Sequence, residues 1–200
     1  KSVKDKLGYV YMELAIKGEG RTYDLNCAVK DVNKNIRMLD EDRLIIFDVD
    51  GVLTDGSLYL DDEGREYKAF HSRDGLGMKM LLSKGIVLAI VTGRRSHLVD
   101  RRARDLGITE VYQGIKDKLA VFETLKEKFH IGDDETACVG DDIPELEIFQ
   151  RAGIAFTVSD AHERMKEEAD YVTHFPGGRG AVREITDLIM KAHGWDPFIP

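Results

Sequence analysis

The stretch that decides the fold reads Leu44-Ile-Ile-Phe-Asp48-Val-Asp50-Gly51-Val-Leu-Thr54-Asp55-Gly56. Its first four residues are all apolar, which is typical of a central strand in a parallel sheet covered on both faces. Two carboxylates, two residues apart, follow this strand and precede a glycine. A carboxylate at a strand end can be a metal ligand, a base or a nucleophile. Asp-Gly is also common in turns, so the pattern alone leaves a simple acidic turn open.

Short apolar runs and longer amphipathic stretches alternate along the rest of the chain. The amphipathic stretches have helical spacing, and strand–helix alternation predicts an α/β fold, a doubly wound parallel sheet. In such sheets, ligands bind beyond the carboxyl ends of the strands. The predicted strands are Leu44–Phe47, Ile86–Val91, Glu110–Tyr112, Thr136–Val139, Ile154–Phe156 and Tyr171–Val172.

Length, composition and charge limit the function classes. The chain has 200 residues, of which 42% are hydrophobic and 33% charged, as expected of a globular protein with one main domain. A net charge of −8 argues against a general binder of nucleic acid or of anionic membranes. We see no signal peptide and no run long enough to span a bilayer. Two cysteines make no disulfide framework, so we expect a reducing, cytoplasmic setting.

The N-terminal segment differs from the strand–helix pattern. Residues 1–42 contain apolar residues at helical spacing, although part of the segment also alternates like a strand. We therefore expect a mainly helical extension over 1–42, followed by the main domain over 43–200.

Three further polar motifs follow predicted strands. They are Thr92-Gly93-Arg94, Lys118 at the start of an amphipathic helix, and Gly140-Asp141-Asp142. Taken singly, each has a structural explanation: a helix cap, a solvated lysine, an acidic cap. Because carboxyl ends of parallel strands lie at one edge of a sheet, all three motifs should converge there with Asp48 and Asp50.

Together these motifs resemble those of the haloacid dehalogenase-like phosphatase superfamily, over residues 43–193. The resemblance implies a Mg²⁺-dependent phosphomonoesterase in which Asp48 attacks phosphorus and forms an aspartyl phosphate. It implies that Asp50 protonates the leaving group and then activates water, and that Thr92 and Lys118 hold the phosphoryl group.

The resemblance also implies a metal site. Mg²⁺ would bind the side chains of Asp48 and Asp141 and the backbone carbonyl of Asp50, and Asp142 would support these ligands from behind or bind the ion through a water molecule. The last acidic residue of the fourth motif is Glu145, where many relatives have Asp. A glutamate could still accept a supporting hydrogen bond there, with a different reach.

A segment between the first two motifs predicts a β-hairpin and an oligomer. Leu58–Leu60 and Glu66–Phe70 flank the turn Asp61-Asp-Glu-Gly64. A lone two-stranded hairpin is marginally stable in water, so one rich in apolar residues should be buried. We expect hairpins from several subunits to pack together and cover neighbouring sites; the alternative is a hairpin folded over its own domain.

This arrangement, with no room for a cap domain, resembles the capless branch that includes phosphatases of 3-deoxy-D-manno-octulosonate 8-phosphate (KDO 8-phosphate). The resemblance implies a homotetramer with hairpins meeting at its centre, and a role in KDO and lipopolysaccharide biosynthesis. The branch also contains phosphatases of nine-carbon sialic-type sugar acids and modules that have lost catalysis. A broad sugar phosphatase or a non-catalytic oligomerisation module of a sugar-nucleotide enzyme therefore stays open. The matching stretches are Asp48–Gly56, Phe70–Gly77, Gly107–Thr109 with Tyr112–Gly114, Gly140–Asp142, Ser159–His162 and Gly177–Glu184.

A sugar acid phosphate carries two anionic groups, so cationic contacts are expected beside Thr92, Gly93 and Lys118. Guanidinium groups suit bidentate carboxylate recognition. The candidates are Arg73, Arg94 and Arg179, each of which could instead lie on a solvated helix face or capping loop.

Overall fold

The computed structural model describes residues 43–195. The helical extension predicted over residues 1–42, and residues 196–200, lie outside the described residues. The strands are β1 Leu44–Phe47, β2 Tyr59–Leu60, β3 Glu66–Tyr67, β4 Val87–Thr92, β5 Glu110–Gln113, β6 Thr136–Val139, β7 Ile154–Thr157 and β8 Tyr171–Val172. The helices are α1 Ser72–Ser83, α2 His97–Leu106, α3 Lys118–Phe129, α4 Leu146–Phe149, α5 Glu163–Glu168 and α6 Ala181–Ala192, with 3₁₀ turns at Asp133–Glu135 and Ile143–Glu145.

Six of the strands form one parallel sheet in the order β5-β4-β1-β6-β7-β8, which confirms the predicted fold class. The chain builds outward from β1 to β4 and β5 on one side, then returns to β6, β7 and β8 on the other. The carboxyl ends of β4, β1 and β6 therefore lie side by side at the point where the strand order reverses.

Alternation along each strand explains the two layers of helices. Ile45 and Phe47 of β1 pack with the buried faces of α1, α2 and α6. Leu44 and Ile46 point to the opposite face and pack with α3, α4 and α5. A strand that is buried on both faces must be apolar throughout, which is why β1 has no polar residue before Asp48.

Helix α1 packs on a different face from the one predicted from its apolar residues. The spacing of Leu76, Met80 and Leu81 along the sequence predicts that these three residues share one apolar face. In the structure Leu76 is exposed, while Met78 and Leu81 are buried. The difference arises at Gly77, because a Cβ there would lie 2.1 Å from Thr186 Oγ1 of α6. The close approach of the two helices thus selects a face that hydrophobicity alone does not indicate.

The predicted hairpin is present and projects from the loop after β1. β2 and β3 are antiparallel, with Tyr59 opposite Tyr67. Its turn is fixed by Asp61, whose Oδ1 accepts hydrogen bonds from the backbone N–H groups of Glu63 and Arg65. Four large apolar side chains stay exposed on this small element: Leu58, Tyr59, Leu60 and Tyr67.

None of the helices formed by residues 43–195 combines the length and the apolar composition that crossing a bilayer requires.

Candidate active site

Asp48 lies at the end of β1, at the centre of the sheet. Its backbone N–H donates to Val139 O at 3.0 Å, which extends the β1–β6 pairing by one residue. The chain then turns around the carbonyl of Val49, which accepts hydrogen bonds from the N–H groups of Leu53 and Thr54 at 2.9 and 3.0 Å. This turn fixes the Asp48 side chain, which is nearly buried, at the carboxyl end of the central strand.

Lys118 reaches Asp48 from the first residue of α3. Asp117 caps the helix by accepting a hydrogen bond from the N–H of Ala120 at 3.0 Å, so the helix begins at a fixed position. The ammonium of buried Lys118 donates to Asp48 Oδ1 at 2.7 Å and also to Glu145 Oε1. The structure therefore brings together two residues predicted from separate motifs.

Three carboxylates converge beside this ammonium. Asp48, Asp141 and Glu145 each offer one oxygen, and these oxygens lie within 4.8 Å of one another. Asp141 follows β6, and Glu145 ends the 3₁₀ turn that begins after Asp142. Oxygen donors in this number and spacing are suited to a hard divalent cation.

The electrostatics of this cluster indicate a need for positive charge. Burial, followed by repulsion from Asp48 and Glu145, raises the pKa of Asp141 to about 8. Burial and repulsion from Asp48 likewise raise the pKa of Glu145 to about 7. The pKa of Asp48 is also raised by burial, although Lys118 opposes that shift. Burial lowers the pKa of Lys118, but attraction to Asp48 and Glu145 outweighs burial and leaves that pKa raised.

Two glycines make room for the carboxylates. A Cβ at Gly51, where φ is +94°, would lie 2.0 Å from Asp141 Oδ2. A Cβ at Gly140 would lie 2.5 Å from Glu145 Cγ. The glycine of the first motif therefore contributes space as well as a left-handed turn.

Thr92 and Gly93 lie at the end of β4, next to β1 in the sheet. Thr92 is buried, and its Oγ1 accepts a hydrogen bond from the N–H of Arg94 at 3.4 Å. Its carbonyl accepts from the N–H of Ile115 at 3.1 Å, which ties the end of β4 to the segment before α3. Gly93 is exposed.

Asp50 lies in a second ionic group that the sequence analysis found only in part. Asp50 Oδ2 lies 3.7 Å from Arg94 Nε, and Asp50 Oδ1 accepts a hydrogen bond from Lys68. Glu66 joins both cations, at 3.0 Å from Arg94 Nη2 and 3.2 Å from Lys68 Nζ. Glu66 and Lys68 were missed because the hairpin was interpreted as an oligomer contact. Only a partial signal was available: Glu66 and Lys68 carry opposite charges two residues apart, which places them on one face of an extended segment. Nothing in that pattern indicates that they fold back onto Asp50.

The remaining predicted residues lie around the site. Arg179 Nη2 is 3.1 Å from Asp55 Oδ2, so the loop before α6 contacts the first motif of its own chain. Arg73 is exposed near the start of α1, and its guanidinium lies beside Gly180. Asp142 is exposed and accepts a hydrogen bond from the N–H of Ile143 at 2.8 Å. Its supporting role at the metal site stays a prediction, as do the substrate contacts of the arginines.

Comparisons with known proteins identify the family of this chain. Residues 104–185 match the model of the haloacid dehalogenase-like hydrolases. The chain is 47% identical to the 3-deoxy-D-manno-octulosonate 8-phosphate phosphatase KdsC of Salmonella typhi over 152 residues, which are 76% of this chain and 81% of that protein.

Two solved structures are similar in fold and sequence. The Yersinia pestis 3-deoxy-D-manno-octulosonate 8-phosphate phosphatase superposes with a TM-score of 0.79 at 42% identity, covering 82% of this chain and 87% of that one. The Moraxella catarrhalis enzyme, in complex with a magnesium ion, a phosphate ion and KDO, gives 0.79 at 43% identity, covering 84% and 97%. The chain therefore belongs to the haloacid dehalogenase-like hydrolases and, within them, to the family of the KdsC phosphatases.

Proposed function

We propose that this protein is a Mg²⁺-dependent phosphomonoesterase that hydrolyses KDO 8-phosphate to KDO and phosphate. The observation that carries the proposal is the convergence of Asp48, Asp141 and Glu145 around the buried ammonium of Lys118. Relatives that align with most of this chain are phosphatases of the same ester.

The acidic cluster fits Mg²⁺. Magnesium binds one or two carboxylates and fills its remaining positions with water and phosphate oxygens. Asp48 and Asp141 would hold it with their carboxylates, together with the backbone carbonyl of Asp50, and Glu145 lies close enough to take part. When bound, Mg²⁺ neutralises charge on the phosphoryl oxygens.

The first step is transfer of the phosphoryl group to Asp48. A carboxylate oxygen of Asp48 bonds to phosphorus while the ester P–O bond breaks. The sugar oxygen takes the departing electron pair and a proton from Asp50, which releases KDO as the free alcohol. Lys118 keeps Asp48 oriented and offsets negative charge at the reacting centre, which is the main demand of phosphoryl transfer.

The second step hydrolyses the aspartyl phosphate. Asp50, now a carboxylate, takes a proton from water while the water oxygen bonds to phosphorus. The bond from phosphorus to Asp48 breaks, so inorganic phosphate leaves and both aspartates return to their starting forms. Thr92 and Gly93, at the end of the neighbouring strand, would hold the phosphoryl oxygens through both steps.

The substrate's carboxylate would bind among Arg73, Arg94 and Arg179. The interaction between Arg179 and Asp55 brings a cation of the C-terminal loop to the rim of the site. Guanidinium groups can bind a carboxylate through two parallel hydrogen bonds, which gives selectivity for a sugar acid over a neutral sugar.

The hairpin favours a homotetramer in which four hairpins meet at the centre. Its exposed apolar side chains form an apolar patch on an element that is too small to be stable alone. A cytoplasmic location is part of the same proposal, supported by a chain whose two cysteines provide no disulfide framework.

The domain division also remains a proposal. β1 begins at Leu44, and Arg43 O accepts a hydrogen bond from the N–H of Val87 at 2.7 Å. This contact supports a phosphatase domain over residues 43–200 that follows an extension over 1–42.

The function is tested by measuring phosphate release from a panel of sugar and sugar-acid phosphates, with Mg²⁺ and with EDTA. Mg²⁺-dependent release concentrated on KDO 8-phosphate is expected. Preference for a nine-carbon sugar acid phosphate would keep the mechanism and reassign the substrate. No release from any compound by folded protein with Mg²⁺ would contradict the proposal and favour a non-catalytic module.

A further inference from the structure

One lysine of the hairpin is buried against the proposed acid–base residue. The side chain of Lys68 is only 2% exposed, although the preceding Tyr67 is exposed. Its ammonium donates to Asp50 Oδ1 and lies 3.2 Å from Glu66 Oε1. A buried ammonium is unfavourable unless it is paired, so the position of Lys68 depends on these two carboxylates.

This contact distinguishes the two oxygens of Asp50. An ammonium group donates hydrogen bonds and accepts none, so Lys68 occupies Oδ1. The other oxygen, Oδ2, lies 3.7 Å from Arg94 Nε, beyond hydrogen-bond distance. Among the described residues Oδ2 accepts no hydrogen bond, so it is the less engaged oxygen and the better placed one for a leaving group or an attacking water.

We propose that Lys68 is a positioning residue that fixes the Asp50 carboxylate so that Oδ2 faces the reacting oxygen. The inference rests on the proposed function, in which Asp50 exchanges a proton with the sugar oxygen and then with water. Displacing a reacting group by about 1 Å can lower a rate on the order of 10²-fold. Lys68 itself does not touch the substrate in this account.

The hairpin supplies this lysine in a fixed orientation. Tyr59 on its first strand donates to Asp55 Oδ2 at 2.8 Å, and Lys68, just after its second strand, binds Asp50. Both strands are thus attached to the loop that follows β1. Glu66 adds a third link through Arg94 at 3.0 Å. A hairpin expected to mediate assembly is in this way connected to the proposed proton donor.

The test compares two leaving groups in the first turnover, with enzyme in excess. The alkoxide of KDO needs a proton to leave, whereas p-nitrophenolate leaves without one, so only the first reaction depends on a well-placed Asp50. We expect Lys68→Met to slow release of KDO about 10²-fold and release of p-nitrophenol less than about 3-fold. Lys68→Arg should recover most of the rate because a guanidinium can also donate to Oδ1. Lys79→Met, at an exposed position on α1, is the control for loss of a positive charge.

If the wild-type protein does not turn over KDO 8-phosphate in this assay, the proposed function fails. If it does, the variants test the positioning role of Lys68 by itself. Equal loss on both substrates would overturn the positioning role and indicate a structural anchor. A rise in KM with unchanged first-turnover rates would overturn it in favour of substrate binding, and unchanged kinetics would overturn it outright. If circular dichroism shows that Lys68→Met does not fold, Glu66→Gln tests the same point, because it removes one of the two negative charges that pair with Lys68. It should give a smaller loss that is still confined to KDO 8-phosphate, and an equal loss on both substrates would again overturn the role.

Discussion

Lys118 Nζ lies 2.7 Å from Asp48 Oδ1, although 70 residues separate the two in the chain. The contact joins the first residue of α3 to the residue that follows β1. It exists because the parallel sheet brings the end of its central strand and the start of α3 to the same edge. The ammonium also binds Glu145, so one cation serves two carboxylates in a buried cluster.

Removing that cation should affect both stability and rate. Lys118→Met leaves buried carboxylates without a partner, so we expect a loss of about 3–5 kcal/mol in the free energy of unfolding near neutral pH without Mg²⁺. The loss should shrink as the pH falls, because protonation then neutralises the carboxylates in place of the ammonium. Activity with Mg²⁺ should fall about 10²-fold or more. Urea unfolding at two pH values measures the stability, and steady-state assays measure the rate. Lys116→Met, at an exposed position, is the control for loss of a positive charge. Equal effects of the two variants would refute the role of Lys118 in neutralising the buried carboxylates.

Stabilisation by Mg²⁺ should depend on pH. The pKa values of Asp141 and Glu145 are raised to about 8 and about 7, from ordinary values of 3.8 and 4.5. The stabilisation that these two carboxyl groups give the metal-free protein is therefore complete below pH 3.8, and it is lost as the pH rises through about 7 to 8. Mg²⁺ competes with these protons, so it should raise Tm more at about pH 8.5 than at about pH 6. Thermal unfolding with and without Mg²⁺ measures this. Asp141→Asn should abolish most of the difference in Tm between protein with and without Mg²⁺. A larger effect of Mg²⁺ on Tm at the lower pH would contradict the metal assignment.

Gly51→Ala should weaken the metal site specifically. The new methyl group would overlap Asp141 Oδ2, which lies 2.0 Å from the Cβ position. Gly64 provides a matched control, since it also has a positive φ, +77°, with nothing within 4 Å of its Cβ position. Both substitutions incur about 1–2 kcal/mol of left-handed backbone strain. Only Gly51→Ala should raise the Mg²⁺ concentration needed for half-maximal activity. Only Gly51→Ala should also lower kcat, by about 10²-fold. If Gly64→Ala has the same kinetic effect, displacement of Asp141 is not the cause.

The hairpin surface should control assembly. Leu60 on the hairpin and Leu76 on α1 are both exposed, at 62% and 54%. Leu60→Asp places a charge in the proposed centre of the tetramer, where burial without a partner is unfavourable. We expect it to reduce the molar mass measured by light scattering below that of a tetramer, whereas Leu76→Asp should leave the mass unchanged. A wild-type protein that is monomeric would reject the proposed assembly directly.

The sequence predicted the strands and the convergence of the motifs because both depend on local patterns. Apolar runs such as Leu44–Phe47 identify covered strands, and parallel topology then places Asp48 and Asp141 at one edge. These steps need only hydrophobic periodicity and the geometry of a parallel sheet. The fold class and the convergence of the motifs at one edge of the sheet were therefore accessible without coordinates, whereas the pairing of Lys118 with Asp48 was implied by the family resemblance.

The features that sequence reasoning missed depend on packing between distant elements. Leu76 points outward because Gly77 lets α1 approach Thr186 closely, a contact that no local pattern encodes. The burial of Lys68 depends on where the hairpin folds back relative to Asp50, and a charged residue in a short exposed strand gives no indication of that. The direct contact of Glu145 with Lys118 depends on side-chain length at a position where the sequence suggested only a supporting role.

The most direct test of the central claim is phosphate release from KDO 8-phosphate by the wild-type protein and by Asp48→Asn, each with Mg²⁺ and with EDTA. The substitution removes the nucleophile while keeping nearly the same shape, so the fold should persist and the rate should fall by at least about 10³-fold. Wild-type release should likewise require Mg²⁺. A folded Asp48→Asn variant that hydrolyses KDO 8-phosphate at the wild-type rate would contradict the aspartyl-phosphate mechanism.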